Sequence, residues 1–189
     1  MKPLRFLMSC LACAIFLGAC SSISGTAPSK WASGYCSAMF SWFTQTQSKT
    51  GSFESLIKNQ SDPTQIKTDA QTLIQEEIAQ AQTLESQIRH NGTPAVSDGK
   101  TLYNSLIKAL NAYDQALVGA QNTLAPISTS SITNLTGAFN QIGNAIDAAQ
   151  VTLGKSLSSI GRQSTSSSDS PLAQALDTNK SCKNLQSLK

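Results

Sequence analysis

Histidine occurs once in this chain, at His90, and charged residues make up only 13 % of it. A lone imidazole excludes the paired Glu-x-x-His motifs of di-iron helical proteins. It also excludes a haem held between two histidines, and beyond the N-terminal twenty residues Met39 is the only methionine that could serve as an axial ligand. No metal and no cofactor is therefore expected. Lysine and arginine, 14 against 11 acidic residues, form no stripe or cluster, so nucleic acid is not expected as a partner. No stretch alternates polar and apolar residues as a half-buried strand does. No apolar run reaches the roughly 20 residues that cross a bilayer as a helix. Glu76 and Glu77 are adjacent on a helical stretch and point in different directions, which is not the arrangement of a paired acid and base.

What is present is helical periodicity. Tyr103, Leu106, Leu110, Tyr113, Leu117, Ala120, Leu124 and Ile127 follow at alternating steps of three and four, and Ile132, Leu135, Phe139, Ile142, Ile146, Ala149, Leu153, Leu157 and Ile160 do nearly the same. Such stripes bury one face of a long amphipathic helix. A weaker stripe runs through Ile66, Ala70, Leu73 or Ile74, Ile78, Ala81, Leu84 and Ile88. Before it, residues 35–57 carry Met39, Phe40, Phe43, Phe53 and Ile57, with Gly51 as an expected break or kink. Asp62-Pro63 reads as an N-cap followed by proline at the first helical position. Asn91-Gly92-Thr93-Pro94 stops the second helix, Ser97 or Asp98 starts the third, and residues 126–131 make the last connection. Short connections favour antiparallel neighbours. The expected fold is all-α: an antiparallel up-down four-helix bundle over residues 31–189.

The N-terminus names a compartment. Lys2 and Arg5 precede an apolar run over residues 6–18, the pattern of a secretory signal. The run ends in Leu17-Gly18-Ala19-Cys20, which resembles the lipobox of bacterial lipoproteins: an aliphatic residue, two small residues and a cysteine. The resemblance implies that the Cys20 thiol is acylated and that residues 1–19 are cleaved as a signal peptide. It also implies a cell membrane or outer-membrane location, lipid-anchored on the extracytoplasmic face. Residues 20–30, rich in Ser, Gly, Thr and Pro, read as a flexible tether. Two acyl chains would anchor firmly where one is reversible.

Given that processing, Cys10 and Cys13 leave with the signal and Cys20 is acylated, so of five cysteines Cys36 and Cys182 remain. In an oxidising compartment two such thiols tend to pair; the alternative is two unpaired buried cysteines. In an up-down bundle the first helix begins and the fourth ends at one pole, so a Ser-rich loop over residues 164–170 can return Cys182 to Cys36. The expected disulfide would close the bundle at that pole. The body is also similar to small helical lipoproteins of actinobacterial type without assigned activity, with Cys36 near the start and Cys182-Lys183-Asn184-Leu185 near the end. That similarity supplies no activity and no functional residues.

Chemistry is sparse. Ser55-Leu56-Ile57-Lys58 and Ser105-Leu106-Ile107-Lys108 match the Ser-x-x-Lys of penicillin-binding proteins, and Lys49-Thr50-Gly51 matches their Lys-Thr-Gly. The triplet there lies on a strand after the nucleophile; here it precedes both motifs in a helical region, so neither serine is expected to be catalytic. The aromatic group Trp31, Tyr35, Phe40, Trp42 and Phe43 allows two readings. Trp31, Tyr35 and Trp42 form an interface or ligand contact near the anchor, or most of the rings close the core around the disulfide. Gly137, Gly143, Ala145, Ala148 and Ala149 permit either close packing or a cavity for an apolar ligand. The expected function is a lipid-anchored, non-enzymatic binding or structural module of the cell envelope. Its partners are the membrane and another envelope protein; an apolar-ligand carrier or an enzyme with an unrecognised site is the alternative.

Overall fold

A computed structural model describes residues 24–59, 61–130, 132–165 and 170–186, with side chains outside 50, 52–59, 132, 157–165 and 186. Six helices account for the regular structure among these residues: α1 Pro28–Asn59, α2 Pro63–Asn91, α3 Gly99–Leu124, α4 Ile132–Thr165, α5 Pro171–Thr178 and α6 Lys180–Gln186. The protein is all-α, as the periodicity implied.

The local signals act where they stand. Asp62 Oδ1 accepts a hydrogen bond from the Thr64 N–H at 2.9 Å and so satisfies one of the free donors of the first turn of α2. At the other end Gly92 adopts φ 72°, a backbone conformation cheap only for glycine, and its N–H reaches the carbonyls of Ile88 and Arg89. α3 begins one residue after Asp98, and the α3–α4 connection falls where Pro126 placed it.

Contacts along each neighbouring pair show the direction of travel. Between α1 and α2, Trp31 meets Gly92 and Thr46 meets Glu77, so numbers rise on one helix as they fall on the other. Lys67 with Ala125 and Gln82 with Asp114 show the same for α2 and α3. The apolar stripes fill two connected clusters. One, toward the disulfide, contains Trp31, Met39, Leu84, Leu106, Tyr113 and Leu172. The other contains Ile66, Ile74, Leu124, Leu135 and Ile142, and Ile78 and Ile146 pack against both.

Four expectations need correction. α1 starts at Pro28, well before Tyr35, because Ala32 and Trp31 are themselves core residues. Gly51 does not break α1: it is exposed with open space around it, and one helical glycine costs only about 1 kcal/mol. Ser164 and Thr165, expected in the Ser-rich loop, still belong to α4, and two further helices follow that the four-helix expectation lacked, since Leu172, Ala173, Ala175 and Leu176 give an eight-residue segment a buried face. These helices change how the bundle closes. Among the described residues α1 and α4 do not pack on each other; α5 lies against both, and α6 lies against α1. Finally, the segment over residues 20–30 is not all tether. Thr26 exchanges backbone hydrogen bonds with Thr93 and Ala95 at 2.7 and 2.8 Å, and its hydroxyl donates to the Asn91 carbonyl at 2.6 Å. The chain is therefore fixed to the α2–α3 connection before α1 begins.

Candidate functional site

Cys20 and the rest of the lipobox lie outside the described residues. Cys36 and Cys182 are joined, with Cα atoms 4.9 Å apart, and both are buried. The bond ties the second turn-pair of α1 to α6, beside a hydrogen bond between the Ser37 and Ser181 hydroxyls at 3.1 Å.

The three aromatic candidates do not form a surface. Trp31 is 0 % exposed, and Tyr35 and Trp42 are buried as well, so the contact reading gives way to core closure. The cause is the docking of the end of α2 on the start of α1. Trp31 stacks on Tyr35 with ring centroids 4.9 Å apart, its Nε1 donates to the Gly92 carbonyl at 2.8 Å, and Asn91 Nδ2 donates to the Trp31 carbonyl at 2.7 Å. Burial raises the Tyr35 hydroxyl pKa far above its ordinary value. Gly34 makes this approach possible, because a Cβ there would collide with the Asn91 side chain.

Along the outside of the same contact runs a groove of about 510 Å³. Its α1 wall carries Gly34, Ser37 and Ser41, and its α2 wall carries Ser86, Gln87 and His90. Hydroxyl, amide and imidazole side chains rim the groove, while apolar atoms make up most of its lining surface. His90 stands exposed on this wall in the last turn of α2, as its place beside Asn91-Gly92 suggested.

A second concentration of polar groups lies inside the protein, and sequence reasoning missed it. Glu77 is only 7 % exposed. Its Oε2 accepts from Thr46 of α1 at 3.1 Å, while Oε1 meets no protein group among the described residues. Trp42 Nε1 and Gln80 Oε1, one turn from Thr46 and Glu77 respectively, are buried and unmatched in the same way. Tyr113 of α3 stands edge-on to Trp42 with ring centroids 5.6 Å apart. Three helices, α1, α2 and α3, therefore contribute to one buried polar waist. Burial holds the Glu77 carboxyl above the usual range, against the Thr46 hydrogen bond and the Lys49 charge. Burial, with the Glu77 charge adding to it, pushes the Tyr113 hydroxyl up to about 12. The signal was present in the sequence. Ala70, Ile74, Glu77, Ala81, Leu84 and Ile88 keep steps of four and three, so Glu77 occupies a position the stripe reserves for an apolar residue. Glu76 diverges to the surface, where it pairs with Lys49.

The remaining candidates stay apart. Ser105 and Lys108 are exposed on α3, and the side chains of Ser55 and Lys58 lie outside the described residues. Gly137, Ala145 and Ala148 are exposed on α4 and line no cavity. Among the described residues no three His, Cys, Asp or Glu side chains gather at metal-binding distance, and no helix is long and apolar enough to cross a membrane. No family model, no curated protein and no solved structure matches the chain.

Proposed function

We propose that the protein is a lipoprotein of the bacterial cell envelope, acylated at Cys20, whose helical body contacts another envelope component without catalysis. The observation that carries this reading is Leu17-Gly18-Ala19-Cys20 at the end of a charged-then-apolar N-terminus. The disulfide supports it, because Cys36 and Cys182 pair stably in an oxidising compartment and rarely in the cytosol. Within this reading the four long helices form the up-down antiparallel body, and α5 and α6 fill the side between α1 and α4. The α1–α2 groove is the contact assigned to the partner, since it lies open on the surface while the neighbouring core is closed.

Mass analysis of the mature N-terminus tests the anchor: a diacylated peptide beginning at Cys20 is expected, and an unmodified peptide beginning elsewhere overturns it. A photocrosslinking side chain at Gln87, in the groove, should capture an envelope protein on intact cells. The same side chain at Gln115, exposed on α3, should not. Equal capture at both positions, or capture at neither, removes the groove from the reading.

A further inference from the structure

We propose that the pole carrying the disulfide and the α2–α3 connection rests on the bilayer, drawn there by anionic phospholipid headgroups beneath Lys30, Lys100, Lys180 and Lys183. The proposal rests on the anchor reading of Cys20 and adds a direction to it. The backbone is docked at Thr26, next to Gly25, so five residues separate the anchor site from the folded body. At roughly 3.5 Å per residue they reach about 18 Å at full stretch. α1 has 32 residues and at 1.5 Å per residue runs about 48 Å. A leash this short keeps one end of the body at the headgroups. The far connection, over residues 125–131, reaches them only if the whole protein lies flat.

Charge decides between standing and lying. Lys30 is in the first turn of α1 and Lys100 in the first turn of α3, and Lys180 and Lys183 flank Cys182 on α6, stapled beside α1. All four are exposed, and none forms an ion pair with a carboxylate among the described residues. Among the described residues the acidic groups at this end are Asp98, Asp177 and Glu85, and Arg89 is paired with Glu85. Four lysines against Asp98 and Asp177 leave the end positive. Among the described residues the opposite end carries Asp62, Asp69 and one cation, Lys67, whose ammonium donates to the carbonyls of Ala125 and Ile127 at 2.8 and 2.7 Å, so this end is negative by one charge. The positive end thus coincides with the tethered end, and the negative end points away from an anionic surface.

Two measurements on the chain from residue 20 onward test this whether or not the cell acylates Cys20. With Cys20→Ser, the chain should sediment at low salt with vesicles containing phosphatidylglycerol and not with phosphatidylcholine alone. Each of Lys30→Gln, Lys100→Gln, Lys180→Gln and Lys183→Gln should weaken binding about fivefold. Lys49→Gln, about 30 Å up α1 by its helical rise, should leave it unchanged. Coupled through its Cys20 thiol to a maleimide lipid in the same bilayer, the chain should give a protein layer near 50 Å thick by neutron reflectometry, roughly the helix length. Equal binding to both vesicles, an equal loss with Lys49→Gln, or a layer near half that thickness overturns the orientation. A native N-terminus without acyl chains overturns the anchor reading alone.

Discussion

Glu77 is the residue at which the core departs from its own pattern. A carboxyl in a stripe position is held by one hydroxyl, leaves an oxygen unmatched, and is raised in pKa chiefly by burial. The folded state therefore holds its proton to higher pH than the unfolded chain. Its contribution is fully present below the unfolded value and is lost as pH rises through the folded one. Glu77→Gln keeps the acceptor for Thr46 and removes the charge. It should stabilise the protein at pH 8, where burial disfavours the charged carboxylate, and change little at pH 4. Urea unfolding of both proteins at the two pH values checks this, and an equal effect at both would show that charge desolvation is not the cause. Tyr113 gives the alkaline counterpart. From 10.0, its ordinary value, to about 12 the unfolded chain releases that proton first, so stability in urea unfolding should fall across this window.

At the scale of the element, long helices and short ones were legible to different degrees. α2 and α3 could be bounded to within a residue because caps, prolines and a seven-residue-spaced stripe all agreed. Asp62→Ala should accordingly cost about 1 kcal/mol, read as a lower thermal midpoint. α5 and α6 were not legible. Eight and seven residues hold too few turns to show a period, and isolated helices of that length are unstable in water. They form because α1 and α4 leave a side for them to cover. Leu172, 2 % exposed on α5, is the measure of that dependence. Leu172→Ala should cost between about 2 and 5 kcal/mol in urea titrations. A loss well below that range would mean α5 is an appendage and not a wall of the core. The early start of α1 escaped notice for a related reason: Pro, Ser, Lys, Trp, Ala, Ser and Gly make a poor helix by propensity, and only burial of Trp31 and Ala32 holds them there.

For the whole molecule, cysteine arithmetic carried further than any motif. Counting which thiols remain after export picked out Cys36 and Cys182 without any contact information, and the bond is present. The buried polar waist had no such arithmetic, since its members are spread over Trp42, Glu77 and Tyr113 on three helices. Spatial convergence of that kind is invisible until the helices are packed. Closing a loop of 146 residues should contribute about 5 kcal/mol through the unfolded chain's entropy. The double variant Cys36→Ala with Cys182→Ala should lose a stability of that order in urea unfolding.

The same bond also sets the path that a mechanical load takes. Tension applied between Thr26 and the end of α6 runs along the first turns of α1 to Cys36. It then crosses from Cys36 directly to Cys182 and leaves. The residues between the two cysteines lie off that covalent path, so such tension strains the two ends of the chain first. Reduction would admit that hidden length, about 500 Å at roughly 3.4 Å per residue, as a single long extension in a force trace.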